Sequence, residues 1–409
     1  MPSAYAYIVE PLRTPIGRYG GVLASVRPDD LAAQVIQALI EKTQIPPEAI
    51  DDVILGCSNQ AGEDNRNVAR IAALLAGLPQ SVPGVTVNRL CASSLEAVIQ
   101  ASRAVMTGEV ELVIAGGVES MSRAPYAIPK NVGGVAQFGN ITAYDTALGW
   151  RFPNKRLEAM FPLEAMGETA ENLAEQYKIS RTEQDEFALR SHENALRANN
   201  EGLFKDEIVS VEVTNKKGTT LVEADEQPRA DTSMDTLSKL NAAFRKGGTV
   251  TAGNSSALND GAAGMLIASA SAVEKYGLKP LARFMASGVA GVNPRIMGIG
   301  PVYALPKALQ RAGINAEQLD LLELNEAFAA QSLACLRELP IPQSRVNIDG
   351  GAIALGHPLG MSGARITGHL IRSLHRTGGR YGAATLCIGV GQGLAAVFEK
   401  VRNEEWLIH

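Results

Sequence analysis

The sequence predicts an α/β protein made of two similar halves with a long insertion between them. Three observations carry that expectation. First, Ile45-Pro46-Pro47-Glu48-Ala49-Ile50-Asp51-Asp52-Val53-Ile54-Leu55 lines up with Ile314-Asn315-Ala316-Glu317-Gln318-Leu319-Asp320-Leu321-Leu322-Glu323-Leu324, at an offset of 269 residues. Second, strand, helix, strand, helix, strand occurs twice, an order that favours mostly parallel sheets. Third, the repeat breaks down between Val118 and about Lys246. The expected organisation is an N-terminal core half at 1–119, completed by 247–272, an inserted domain at 120–246 and a C-terminal core half at 273–409.

The whole chain bounds the function. Its 409 residues exceed one ordinary core, so two or three packed units are expected. With 46% hydrophobic and 20% charged residues the composition is that of a soluble globular protein. A net charge of −5 and the lack of a basic stripe argue against a nucleic-acid partner. Cys57, Cys91, Cys335 and Cys387 lie far apart, without metal-ligand spacing, so no metal site is expected and a reducing compartment fits. No signal peptide, peroxisomal address or membrane-length apolar run is legible, which points to the cytoplasm.

Along the chain, Tyr5 to Val9 reads as a strand, and Leu31 to Ile40 as a helix before the first repeat copy. Gly84 to Leu90 reads as an extended run that stops at Cys91. Leu95, Val98, Ile99, Val105 and Met106 then recur at helical spacing, with the small Ser102 on the same face. This puts the Cys91 thiol at a helix start, where free N–H groups and the helix dipole favour thiolate. A buried core cysteine is the plain alternative for this residue taken alone. At the repeat offset, Cys91-Ala92-Ser93-Ser94 falls on Gly360-Met361-Ser362-Gly363, and a slightly larger offset brings Ile114 to Val118 onto Leu386 to Val390. Catalytic groups of α/β units gather where strands end and helices begin. Two face-to-face halves could therefore bring Cys91, His357 and Cys387 into one pocket.

The insertion opens with turn-forming Gly133-Gly134 and Gly139-Asn140. A charged helical region follows from Gly167 to Asn200, with Leu173, Tyr177, Phe187 and Leu196 as its apolar positions. Long insertions in α/β enzymes often cover ligands, and a purely structural lobe is the alternative. Thr249 to Ser256 returns to the core, and Asn259-Asp260-Gly261 opens its next element. Leu319 to Leu324 is a strand pattern ended by Asn325-Glu326, where a helix cap would be the bland account of the asparagine. His357 sits between Gly356 and Pro358, hence in a loop, while His192, His369 and His375 read as surface residues of helices. Cys387 precedes Gly389-Val390-Gly391-Gln392-Gly393, whose glycines let backbone N–H groups approach a ligand.

Four segments in order, around Cys91, Asn325-Glu326-Ala327-Phe328, Gly356-His357-Pro358 and Cys387-Ile388-Gly389, resemble the signatures of the thiolase family. The resemblance covers essentially the whole chain, including Arg13-Thr14-Pro15-Ile16-Gly17. It implies a layered α-β-α-β-α core with an inserted loop domain that binds coenzyme A. It implies acyl transfer between coenzyme A thioesters through an acyl-cysteine: thiolysis of 3-oxoacyl-CoA, or condensation of two acetyl-CoA. By the resemblance, Cys91 is acylated, His357 takes its proton and Cys387 is the second acid and base. Asn325 holds a water that forms one oxyanion hole with His357, and the N–H groups of Cys91 and Gly389 form the other. Glu326 is supporting. Arg229 meets the nucleotide end of coenzyme A, Ser256 the pantetheine arm, with Phe244 and Phe328 nearby, and Met166 and Met297 line the acyl channel. CoA and acyl-CoA serve as substrates, no further cofactor is implied, and the expected assembly is a homodimer at least and a homotetramer beyond it, joined through Val85 to Leu90 and Met121 to Asn140.

Some residues depart from the family's usual pattern. Ser94 stands where many members have glycine, and a side chain there could narrow the pocket. Val390, Gln392 and Gly149-Trp150-Arg151-Phe152 resemble the branch that includes 3-oxoadipyl-CoA thiolases. The cations Arg151, Lys155 and Arg156 could meet a far carboxylate, but a solvated loop face is the expectation, and with it a preference for short neutral chains. A nicotinamide enzyme is excluded by the glycine spacing and by the apolar strand pattern Leu394 to Val397 that follows. Decarboxylating ketosynthases lack a second reactive cysteine in this setting. A non-catalytic thiolase-like scaffold would be marked by loss of Cys91, His357 or Cys387, and all three are present.

Overall fold

The computed structural model describes residues 5–130, 138–216 and 218–401. The Gly133-Gly134 turn and the C-terminal Trp406 to His409 lie outside the described residues. The sequence repeat is a structural repeat. Strands Ala6–Arg13, Asp52–Gly56, Leu112–Ser120 and Asn259–Ala268 of the first half correspond to Pro280–Gly291, Leu321–Leu324, Tyr381–Ile388 and Gln392–Lys400 of the second. Helices Pro28–Thr43 and Ser93–Thr107 likewise match Gly300–Ala312 and Leu359–Thr377. The halves differ at one edge. Gly84–Val87 pairs in parallel along Asp52–Gly56, whereas the second half keeps only a Leu322–Val346 bridge.

The two sets of strands join. Ala6–Arg13 pairs antiparallel with Asn259–Ala268 on one side and with Pro280–Gly291 on the other, so one hydrogen-bonded path runs from Leu321–Leu324 to Gly84–Val87. The side-chain period of two then sorts residues into layers. Val113 and Ala115 face the two central helices, with Leu95, Ile99, Ile366 and Leu370, while Leu112 and Ile114 face the outer helix Pro28–Thr43. Leu386 and Ile388 face the same centre, while Cys387 faces outward among Met297 and Phe328. The section therefore reads α-β-α-β-α, with Ser93–Thr107 and Leu359–Thr377 as the middle layer. Each fully buried Leu or Ile there contributes about 1.5–3 kcal/mol.

The middle layer explains a correction. Helix Leu359–Thr377 is covered on nearly every side, so its polar residues are inside rather than on the surface. His369 is buried, with Nδ1 3.0 Å from Glu207 Oε2 and Nε2 3.1 Å from Asp349 Oδ2. His192 is buried as well, and only His375 of the three helical histidines is exposed. The insertion is tied to the core at Arg13, whose buried guanidinium bonds Glu207 and Asp225 at 2.7 Å each. Within the insertion the charged region is two helices, Met166–Gln176 and Arg181–Asn200. The second starts at a capping box in which Ser180 and Glu183 satisfy each other's backbone N–H.

Candidate active site

Three segments converge on one cavity of about 220 Å³. Only that of Cys91 runs from a strand into a helix as expected; His357 lies in the loop between helices Ala352–Leu355 and Leu359–Thr377, and Cys387 near the end of strand Tyr381–Ile388, which turns back into strand Gln392–Lys400. Cys91, His357 and Cys387 all line it, joined by Met166, Met297, Phe244, Phe328 and Ser256. Asn325 and Gly389 stand just behind these groups. Arg229 does not reach this cavity. It lines a second one of about 190 Å³ with His192, Gln227, Asp231 and Leu240. Both cavities border the return segment: Ala252 and Gly253 face the second, Ser256 and Ala257 the first.

The Cys91 junction differs in detail from the expectation. The strand ends at Val87, and Leu90–Ala92 forms a 3-10 turn before the α-helix begins at Ser93. Leu90 adopts a positive φ of 47°, which turns the chain sharply into Cys91. The backbone N–H groups of Gly389 and of Cys91 itself bond toward the sulfur, but burial outweighs them and pushes the thiol up to about 11. The resting group is therefore a thiol, contrary to the thiolate expected from the helix start. Desolvation in the pocket outweighs the N–H donors, although Cys91 keeps some solvent exposure. Cys387 is pushed well up too, by burial and then by Cys91.

His357 is held neutral. Its backbone N–H donates to Asn259 Oδ1 at 2.9 Å, and Nδ1 lies 2.6 Å from Ser362 Oγ. Burial, then the charge of Arg365, lowers its pKa to about 3. Gly356 before it has φ 107°, and a Cβ there would come within 2.7 Å of the Asn259 side chain, so only glycine allows this approach. Asn325 Nδ2 lies 3.3 Å from His357 Nε2. The buried Asn325 Oδ1 has no partner among the described residues, and Phe328, not Asn325, is the N-cap of the next helix. Glu326 faces away, accepting from Ser191 Oγ, Asn347 Nδ2 and the Ile353 N–H.

The wall is largely apolar. Phe244 meets Phe328 edge to face at 6.0 Å, a closeness that Gly167 permits beneath the Phe244 ring. The Ser256 hydroxyl donates to the Ala327 carbonyl. Ser94, expected as a possible obstruction, lies outside the cavity lining; its Oγ accepts from the Ala364 N–H at 2.9 Å and links the central helices. Val390 takes a positive φ of 65° and is exposed.

Several site residues escaped the sequence reading. Ser362 and Asn259 fix His357. Glu119 accepts from the N–H groups of Ser58, Asn59 and Gly360, pinning the helix that follows His357. His192 faces Arg229, with Nδ1 accepting from the Arg229 N–H at 3.3 Å. Ser362 was the most accessible to a sequence argument, one helical turn beyond His357. The others come from segments remote in sequence. Among the described residues no group of three or more His, Cys, Asp or Glu could hold a metal ion, and no helix is long and apolar enough to cross a membrane.

A half-buried cysteine, a buried one, a neutral histidine and N–H donors directed at the Cys91 sulfur meet in a two-half α/β core, an arrangement suited to acyl transfer. Comparison with known proteins supplies the family. The model of the thiolase N-terminal domain matches residues 6–271, and that of the thiolase C-terminal domain matches 278–400. The chain belongs to the thiolase family. It is 54% identical to the beta-ketoadipyl-CoA thiolase of Pseudomonas aeruginosa over 98% of this chain and 100% of that one. Among solved structures it resembles the Bacillus anthracis acetyl-CoA acetyltransferase, at TM-score 0.91, 44% identity, 98% of this chain and 100% of that one. It also resembles human mitochondrial 3-ketoacyl-CoA thiolase in complex with CoA, at TM-score 0.90, 41% identity, 97% of this chain and 98% of that one.

Proposed function

We propose that this thiolase acts on 3-oxoacyl-CoA thioesters whose acyl chain ends in a carboxylate, with 3-oxoadipyl-CoA as the fitting case. The observation that carries the reading is Arg151. It is half-buried two residues beyond Gly149, a lining residue of the Cys91 cavity, and Nη1 lies 3.4 Å from Asn59 Oδ1. Among the described residues it makes no ion pair, whereas Lys155 and Arg156 are simply exposed. The cavity lining itself carries no cation or carboxylate. The name of the Pseudomonas relative supports the same substrate class. The apolar lining of Met121, Leu148, Met166 and Met297 favours the second reading, short neutral chains.

In this reading, His357 Nε2 takes the Cys91 proton as sulfur attacks the 3-oxo carbon. The N–H groups of Cys91 and Gly389 hold the resulting oxyanion. The C2–C3 bond breaks and its electron pair passes to C2, while His357 and an Asn325-held water stabilise the enolate oxygen. Cys387 protonates C2, releasing acetyl-CoA. The acyl group on Cys91 then passes to the sulfur of free CoA. The CoA proton goes to the Cys387 thiolate, and Cys91 recovers its proton from His357. Met166, Phe244, Ser256, Met297 and Phe328 guide the pantetheine arm and acyl chain, and Arg229 with His192 meets the nucleotide end. No further cofactor enters, and four free cysteines suit the cytoplasm.

The test compares kcat/KM for thiolysis of 3-oxoadipyl-CoA, 3-oxohexanoyl-CoA and acetoacetyl-CoA, in the wild type and in Arg151→Ala. The reading expects at least about a tenfold preference for the dicarboxylic thioester, equivalent to about 1.4 kcal/mol, lost in the variant. Equal or better use of 3-oxohexanoyl-CoA by the wild type overturns it.

A further inference from the structure

Two backbone turns meet at the oxyanion position, and one side chain spans them. The Arg89 Nε donates to Glu96 Oε2 at 2.8 Å, and its Nη1 donates to Gln392 Oε1 at 3.1 Å. Glu96 is buried on the helix that follows Cys91, and Gln392 opens the strand that follows Gly389. The contact therefore crosses between the two core halves, 303 residues apart in sequence.

Both turns are strained where they meet. Leu90, immediately before Cys91, has φ 47°, and Val390, immediately after Gly389, has φ 65°. Neither is glycine, so each conformation persists only if the surroundings over-determine it. The turns also touch: a Cβ on Gly389 would lie 3.3 Å from Leu90 Cδ1. On the nucleophile side, the Arg89 N–H donates to Ser93 Oγ at 2.9 Å, and that hydroxyl donates to the Leu90 carbonyl at 2.6 Å. The Gln392 side chain is the polar counterpart on the other half. A donor pair formed by separate turns is useful only if the spacing between them is held, since a misplacement of about 1 Å can cost about a hundredfold in rate.

We propose that Arg89 is a positioning residue that clamps the Cys91 turn to the Gly389 turn through Glu96 and Gln392, setting the separation of the two oxyanion-hole N–H groups. The inference rests on the reading of Cys91 and Gly389 given above. It acts on the transition state rather than on coenzyme A binding.

The experiment measures Cys91 acylation rate, steady-state kcat, KM for CoA and thermal midpoint in Arg89→Met, Gln392→Met and the double variant. Expected is about a tenfold to hundredfold fall in acylation rate and kcat in each single variant, below the loss from removing a whole oxyanion donor. KM for CoA should stay within about twofold, and the double variant should be no worse than the poorer single one. Undiminished acylation in Gln392→Met, or losses that multiply in the double variant, overturns the clamp. A fall that follows the thermal midpoint and is mirrored in KM also overturns it. Should Arg89→Met not fold, Gln392→Met and Arg89→Lys decide it: the lysine reaches only one partner, and full activity there overturns the proposal. Cys91→Ser separates the two readings. Persistent acylation in that variant defeats the site assignment itself, whereas its loss alongside unaffected clamp variants defeats only the clamp.

Discussion

Ser362 Oγ holds the His357 ring at Nδ1, 2.6 Å away. When the Ser362 hydroxyl donates to the Pro358 carbonyl at 2.8 Å, it accepts from His357 Nδ1 across the 2.6 Å contact. In that arrangement Nδ1 carries the proton, and Nε2 is the ring's acceptor, 3.3 Å from the Asn325 Nδ2 donor. Ser362→Ala removes this control. Its kcat should fall roughly tenfold to a hundredfold, part of the ~10²–10⁴ that a positioned acid–base group supplies. Unchanged kcat in a folded variant would show that another contact sets the tautomer.

The two cysteines should separate the two half-reactions. Cys91→Ser should lose both acylation and overall turnover. Cys387→Ala should still label at Cys91 from acetyl-CoA, yet neither form nor cleave the carbon–carbon bond. Intact-mass spectrometry paired with a turnover assay reads both outcomes, and normal condensation by Cys387→Ala would assign the α-proton to a different group.

The raised Cys91 pKa has a direct signature. With the thiol pushed up to about 11 by burial, the thiolate fraction is small at neutral pH and keeps growing through pH 10. Iodoacetamide modification of Cys91 should accelerate about tenfold per pH unit between pH 8 and 10. A plateau near pH 8 would mean that the helix start and N–H donors overcome desolvation.

Stability should carry the mark of His369. Opposed by burial but raised by Glu207 and Asp349, its pKa stands at about 10 in the folded protein, above its unfolded value. The contribution is thus fully present below about pH 6.5 and is lost as pH rises through about 10. His369→Gln leaves buried carboxylates short of a partner and should cost about 3–5 kcal/mol at pH 6. The gap in thermal midpoint between wild type and variant should narrow from pH 6 to pH 10. A gap that stays constant would show that the ring is not charged in the fold.

Assembly is expected to exceed one chain. Gly84–Val87 is an open sheet edge with Val85 exposed, and Tyr126, Ile128, Phe138 and Ile141 are exposed apolar groups of the neighbouring insertion. Light scattering at micromolar concentration should give a homodimer or a homotetramer. A monomer would leave these surfaces without a partner.

Much of this protein is legible in its residues alone. The repeat, the α/β order and the placing of Cys91, His357 and Cys387 at element junctions follow from local pattern: a helix or strand announces its period, and a junction announces itself by glycine and proline. The thiolase reading follows from four short segments whose order does not depend on packing. What lies on the far side of each element is not a local property. Helix Leu359–Thr377 has polar residues at surface-like spacing, yet it forms the middle layer, so His369 and Arg365 are buried. His192 became part of the second cavity only once the 229–253 segment covered it. The state of the Cys91 thiol turned on the same cause: its helix position argues for thiolate, but walls contributed by residues up to some three hundred positions away remove the water that would stabilise the charge. Tertiary structure likewise decided that Ser94 joins two helices rather than narrowing a pocket, because only packing brings the Ala364 N–H to its hydroxyl.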